Sequence, residues 1–209
     1  MKAILFDLDG VLVDACEWHY LSLNRALDEV VGFTISREDH ISTYNGLPTK
    51  VKLDMLGLDK EQSKKVWQLK QDYTIDTIKE NGKVQEEKIE LFDYLKGRQI
   101  KIVCVTNSIT RTTLEMLQST GQFEYFDMII ANEDVKNNKP HPDCYNFVVK
   151  KLDISPSDCI IVEDSPKGLE SARASIVPDS NIWKVKNSTE VTQENYRRFV
   201  NENFNSNGG

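Results

Sequence analysis

Four polar clusters, each directly after or shortly beyond an apolar run, hold the residues of this chain that could do chemistry. "FDLDGVLVD" (6–14) sets Asp7, Asp9 and Asp14 beside the first run. "VTNS" (105–108) brings Thr106, Asn107 and Ser108, and "NNKPHPD" (137–143) brings Lys139 ahead of a proline. "VEDSPKG" (162–168) ends a further run in Glu163, Asp164 and Ser165. A carboxylate at the mouth of a buried strand is costly to desolvate unless a partner compensates it. Asp7, Asp9, Asp164 and Glu163 at one sheet edge would repel one another. A hard divalent cation with oxygen ligands resolves that conflict, and Mg²⁺ is the usual choice beside phosphate. Lys139 and the hydroxyl and amides around Thr106 match the oxygens of a transferring phosphoryl group, where catalysis is mostly positioning and charge neutralisation. A carboxylate such as Asp7 can attack phosphorus. Asp9 can reach the leaving-group oxygen as acid and then serve water as base.

Each cluster taken alone has a plainer reading. A D-x-D after a strand is common, Thr106 suits a strand-terminal cap, and a lone lysine in a loop is most often solvated. Glu163-Asp164-Ser165-Pro166 reads as a helix N-terminus, with Ser or Asp capping and Pro in the first turn. The last two readings are compatible: Ser165 caps while Asp164 binds metal.

The elements that would position these residues follow from the apolar pattern. "AILFDL" (3–8), "IKIVCVT" (100–106), "DMIIA" (127–131) and "CIIVED" (159–164) are nearly continuous in aliphatic and β-branched residues. That is the pattern of parallel strands covered on both faces. "TRTTLEMLQST" (110–120), with Leu114 and Leu117, and "PDCYNFVVKKL" (142–152), with Tyr145, Val148, Val149 and Leu152, have helical spacing. Alternating strands and helices predict a doubly wound α/β core, with functional groups at the carboxyl ends of the strands. A weaker strand (181–185) and a helix near 192–203 complete it, and the tail "NSNGG" is expected to fray. The block after Gly10 breaks the rhythm: about seventy residues without a strand pattern far exceed an ordinary crossover. "EWHYLSLNRALDEVVG" (17–32) and three further helical stretches make it an inserted helical cap. The expected division is a core of 1–13 with 84–209 and a cap of 14–83.

The 209 residues are 39% hydrophobic and 28% charged, as in an ordinary globular protein. A net charge of −7 argues against a nucleic-acid surface but leaves room for a small anionic substrate. No apolar run suits a membrane span, and the N-terminus lacks a signal-peptide pattern. Cys16, Cys104, Cys144 and Cys159 form no CxxC pair, and Cys104 and Cys159 read as core residues. A cytoplasmic setting and a monomer or weak homodimer are the expectations.

The ordered pattern "DLDGV…VTNS…KPHPD…EDSPKG" resembles the haloacid dehalogenase-like hydrolase superfamily, in the branch with a helical cap after the first strand. The resemblance runs to about Ala174 and is far more specific than any one motif. It implies a Rossmann-like core, Asp7 as nucleophile, Asp9 as general acid and base, Thr106 as phosphoryl donor and Lys139 as charge clamp. It also implies Mg²⁺ held by Asp7, the backbone carbonyl of Asp9, and Asp164, with Glu163 in or just behind that set. Dehalogenases of this pattern lack the second aspartate, so Asp9 favours phosphoryl transfer. The implied activity is a phosphatase for small phosphorylated metabolites, working under a cap whose closure excludes water.

Asn107 and Lys139 are assigned to substrate contact. In the cap, His19 falls where relatives carry a polar group, with a structural histidine as the alternative. "NGLPTKVKL" (45–53) resembles a specificity loop, so Thr49 and Lys50 are candidates for the leaving group. Lys60, Lys64, Lys65 and Lys70 read as a solvated helix face. The first alternative function is a sugar phosphomutase similar to β-phosphoglucomutase. That subgroup carries an arginine where this chain has Thr49, which favours the phosphatase. A non-catalytic module on the same fold is the alternative of another class, and the presence of Asp7, Asp9, Lys139 and Asp164 together argues against it. Two departures from the pattern stand out: no glycine follows "ARAS", and "VQEEK" replaces the usual proline-glycine turn before the helix at 86.

Overall fold

The computed structural model describes residues 1–44 and 47–204. The expected frayed tail (205–209), together with Asn45 and Gly46 of the proposed specificity loop, lies outside the described residues. The chain forms two compact units, Met1–Asp14 with Lys83–Gly209, and Ala15–Gly82.

The first unit is a five-stranded parallel sheet in the order β3-β2-β1-β4-β5. Its strands are β1 (Ala3–Phe6), β2 (Lys101–Val105), β3 (Met128–Ile130), β4 (Cys159–Glu163) and β5 (Ile182–Lys184). β1 is central, with Phe6 level with Cys104 on one side and Val162 on the other. Successive side chains point to opposite faces. Leu5, Val103, Val105 and Ile161 meet Tyr145, Val148 and Val149 of α7 (Asp143–Leu152) on one face. On the other, Phe6 packs edge-on against Phe92 of α5 (Glu86–Lys96), ring centres 5.8 Å apart. Helices thus cover both faces, which is why the strands read as unbroken apolar runs. α6 (Thr110–Ser119), α8 (Pro166–Ala174) and α9 (Gln193–Phe204) complete the unit.

Two details of the sequence reading change here. The buried side of α6 is Thr112, Thr113, Met116 and Leu117, and Leu114 is only half-buried. β1 also ends at Phe6, earlier than its apolar run suggests. Asp7 extends the ladder by one bond, its N–H donating to Val162 O (3.0 Å), while Asp9 lies past the strand in a bridge with Val13. The glycine-free approach to β5 is fixed by Asn181, whose amide donates to the carbonyls of Ser157 (3.0 Å) and Cys159 (2.8 Å).

The second unit holds α1 (Cys16–Val31), a single turn α2 (Arg37–Asp39) running into a π-turn (His40–Tyr44), α3 (Thr49–Met55) and α4 (Lys60–Asn81). Gly32 ends α1 in the left-handed region at φ +72°, where L side chains are strained. Asp59 and Gln62 cap α4 reciprocally. Leu23, Ala26, Leu27, Ile35, Leu53 and Val66 form its core. The lysines of α4 divide: Lys60, Lys64 and Lys65 are exposed, but Lys70 is buried. Lys70 lies one turn beyond Val66 and one turn before Thr74, on the inward stripe, so the expected solvated face stops short of it.

Candidate active site

All four clusters reach the carboxyl end of the parallel sheet within the first unit. Asp7 leaves β1, Thr106 leaves β2, and Asp164 follows β4, whose last residue is Glu163. Lys139 lies on the loop before α7 and reaches back across the sheet end. Its ammonium donates to Asp7 Oδ1 (2.6 Å), Glu163 Oε1 (2.7 Å) and the Val105 carbonyl (2.8 Å). Ligand oxygens of Asp7, Glu163 and Asp164 lie within 4.8 Å of one another. Asp9 stands beside this cluster, its Oδ2 accepting from Ser108 Oγ (2.8 Å).

The electrostatics follow from burial and a shortage of cations. Three carboxyl groups face one ammonium, so with all three ionised the largely buried site would carry two uncompensated negative charges. Burial first, and then the Glu163 carboxylate, hold Asp7 well above the usual carboxylate range despite the pull of Lys139. Burial, again with Glu163, lifts Asp164 to about 6. Burial alone would weaken the hold of Lys139 on its proton, but Asp7 and Glu163 outweigh it and keep the ammonium charged. Two buried oxygens, Glu163 Oε2 and Asp164 Oδ1, accept no hydrogen bond. An orphaned carboxylate oxygen in a dry site is expensive. Hard oxygen donors with a formal excess of two negative charges when ionised fit a divalent cation such as Mg²⁺.

The turn after β2 supplies the remaining groups. Thr106 is buried, and its Oγ1 accepts from Ser108 N (3.0 Å), leaving the hydroxyl proton available to donate. Asn107 braces the lysine peptide: its Nδ2 donates to Lys139 O and its Oδ1 accepts from Lys139 N, both at 3.0 Å. Two glycines make room for the carboxylates. Gly10 has φ +86°, and a Cβ there would overlap the Asp164 carboxylate. A Cβ on Gly168 would overlap that of Glu163. Ser165 caps α8, its Oγ accepting from Gly168 N (3.1 Å), so cap and carboxylate cluster coexist.

The other expected site residues belong to the helical unit. His19 Nδ1 lies 3.3 Å from Lys70 Nζ. Thr49 opens α3 half-buried and Lys50 follows it exposed. Sequence reasoning missed Tyr145. It reads as a helix-stripe residue, yet its hydroxyl donates to Glu163 Oε1 at 2.5 Å and its ring faces Lys139 Nζ at 5.0 Å. Its place six residues after Lys139, in the first turn of the next helix, was the available signal.

This combination of a five-stranded parallel sheet with a helical insertion after β1 is shared with solved structures. A haloacid dehalogenase-type hydrolase, family IA, variant 3, from Entamoeba histolytica superimposes with a TM-score of 0.77 at 24% identity, covering 96% of this chain and 99% of that one. Residues 4–178 match the family model described as haloacid dehalogenase-like hydrolase, and the chain belongs to that family. It is similar to a phosphorylated carbohydrates phosphatase of Thermotoga maritima, 30% identical over 180 residues, which cover 83% of this chain and 81% of that protein. It is also similar to the β-phosphoglucomutase of Bacillus subtilis, 27% identical over 188 residues, 83% of this chain and 80% of the other.

Proposed function

We propose that this protein is a Mg²⁺-dependent phosphatase of small phosphate monoesters, working through an aspartyl-phosphate on Asp7. The observation that carries the reading is the charge imbalance at the sheet end: two buried carboxylates and one half-buried one around a single lysine, with Asp9 held beside them. Asp7 attacks phosphorus, and the bond to the leaving alkoxide breaks as Asp9 gives that oxygen its proton. Asp9 then takes a proton from water, which attacks the aspartyl-phosphate, releases inorganic phosphate and restores Asp7. Thr106 donates to a phosphoryl oxygen, and Lys139 neutralises charge on the group in transfer. Asp7, Asp164, Glu163 and the Asp9 carbonyl would hold the cation, which when bound offsets the charge of the carboxylates and the phosphoryl oxygens. Asn107 serves this site through the Lys139 peptide, with its exposed amide as a second substrate contact. His19, Thr49 and Lys50 are assigned to the organic part of the substrate. Among the described residues no helix is long and apolar enough to cross a membrane, and a cytoplasmic monomer or weak homodimer is the setting we assign.

The test is phosphate release from a panel of hexose phosphates, phosphoglycolate, nucleotides and an aryl phosphate, with Mg²⁺ or EDTA, for wild type and Asp7→Asn. Mg²⁺-dependent release that is lost in the variant supports the reading. Conversion of β-glucose 1-phosphate to glucose 6-phosphate with a bisphosphate primer, and no release from any ester, assigns the mutase instead. A folded protein silent in both assays refutes both.

A further inference from the structure

An ammonium has three donors, and all three of Lys139 are committed to Asp7, Glu163 and the Val105 carbonyl. To meet a phosphoryl oxygen, Lys139 has to release one of them. The Val105 carbonyl is fixed in the backbone, and Asp7 is itself moving toward phosphorus. Glu163 is the partner that can be released, but it is fully buried. Without another donor its Oε1 would lose its hydrogen bonds, and the carboxylate would have only the cation to keep it in its place against Gly168.

Tyr145 supplies that donor. It is fully buried in the first turn of α7, it donates to the same Oε1 that Lys139 uses, and its ring face lies under the Lys139 ammonium. A phenylalanine would fill the same volume and keep the ring under the cation, so the hydroxyl is what this position adds. We propose that Tyr145 is a positioning residue that keeps Glu163 anchored while Lys139 turns from Glu163 to the transferring phosphoryl group. The role rests on the phosphatase reading above, and it concerns the exchange of partners during the reaction rather than contact with substrate.

The test is Tyr145→Phe, assayed with para-nitrophenyl phosphate and by calorimetric titration with orthovanadate, both in Mg²⁺. The expected result is a kcat about tenfold lower with KM within about twofold, the size of one hydrogen bond to a charged group. Orthovanadate affinity should fall about as far in the otherwise wild-type protein and less than about twofold in a Lys139→Met background, where no partner exchange occurs. A kcat and vanadate affinity within about twofold of wild type overturn the proposal, as do equal losses in both backgrounds. A separate arm needs no activity. In urea unfolding, Tyr145→Phe and Glu163→Gln should be coupled, the double variant losing less than the sum of the singles. If the wild type neither binds vanadate nor releases phosphate, the phosphatase reading fails and this coupling alone decides the anchor: additivity overturns it and coupling sustains it.

Discussion

Gly168→Ala reverses the sign that helix propensity alone assigns. Gly168 is the third residue of α8, and its backbone needs no left-handed conformation. Replacing a glycine inside a helix by alanine ordinarily stabilises by about 1 kcal/mol. Here the new Cβ would overlap the Glu163 carboxylate. A long side chain usually moves aside cheaply, but this one is fully buried and bonded through Oε1 to both Lys139 and Tyr145. Moving it strains or breaks at least one hydrogen bond to a charged group, worth about 1.5–3 kcal/mol each. Set against the propensity gain, losing one bond leaves a net cost of about 0.5–2 kcal/mol, and losing both about 2–5 kcal/mol. Urea unfolding in EDTA should show the midpoint of Gly168→Ala lowered by roughly 0.3–1 M or more. Glu170, two residues on and exposed, is the control: Glu170→Gly should cost about 1 kcal/mol, showing that α8 follows the ordinary scale. Phosphate release by Gly168→Ala should fall because Glu163 is displaced from the cluster. A variant as stable as wild type or more so, with undiminished activity, would refute the claim that Glu163 is anchored against Gly168.

Asp7→Asn should lower phosphate release roughly a thousandfold or more while leaving the fold intact, which circular dichroism beside the release assay checks. Mg²⁺ in excess should raise the midpoint of thermal unfolding, by the equivalent of about 2.7 kcal/mol at a hundred times its dissociation constant. Asp164→Asn should shrink that gain, and an equal gain in the variant would remove Asp164 from the ligand set. Lys88, buried on α5 and bonded to the Ser188 carbonyl, has its pKa pulled down to about 8, chiefly by burial. A lysine with a depressed folded pKa binds its proton less tightly than in the unfolded chain. This group therefore costs most stability below pH 8, and the cost fades as pH rises from about 8 toward 10.5. Lys88→Met should flatten that rise in urea unfolding and stabilise at pH 7 by about 1–2 kcal/mol, net of the lost hydrogen bond. A variant less stable than wild type at pH 7 would count against it.

The parallel core was legible because strands buried on both faces leave uninterrupted apolar runs, and because each run carries its polar residues at its end. Even the short β5 was visible in "NIWKV". The strand ends blurred for the same reason: Leu8 is as buried as Leu5, so an apolar run cannot tell where the ladder stops and a buried turn begins. The inward side of α6 is only partly legible from its leucines, Leu117 but not Leu114, because threonines share it. Thr112 Oγ1 and Thr113 Oγ1 both donate to the Ile109 carbonyl, which lets a hydroxyl pass as core. Lys70 escaped for a related reason, since four lysines on one helix look alike in sequence. Their burial differs by angle around the axis, and only the packing of Val66 and Thr74 distinguishes the last.

The candidate site divides along the same line, between which residues are present and how they are shared. Asp7, Asp9, Thr106, Glu163 and Asp164 were identifiable by type and place, because each ends a strand or opens the next loop, and Lys139 by its lysine-proline pair ahead of the next helix. What the pattern could not carry is how few donors serve so many acceptors. One ammonium divides three protons among two carboxylates and a carbonyl, and one tyrosine hydroxyl doubles the lysine's contact to Glu163. That economy is a property of distances, and it gives the site its direction. The resting cluster already satisfies Lys139, so a phosphoryl group has to compete with Glu163 for it. The competition is cheap only where a second donor stands ready at Oε1. Ser108 plays the corresponding part for Asp9, and Asn107 for the Lys139 backbone. Glu163 and Asp9 are thus each held by a neutral hydroxyl that need not change partners. The physical consequence is that Tyr145 and Ser108 should affect the rate of transfer more than the binding of the ester.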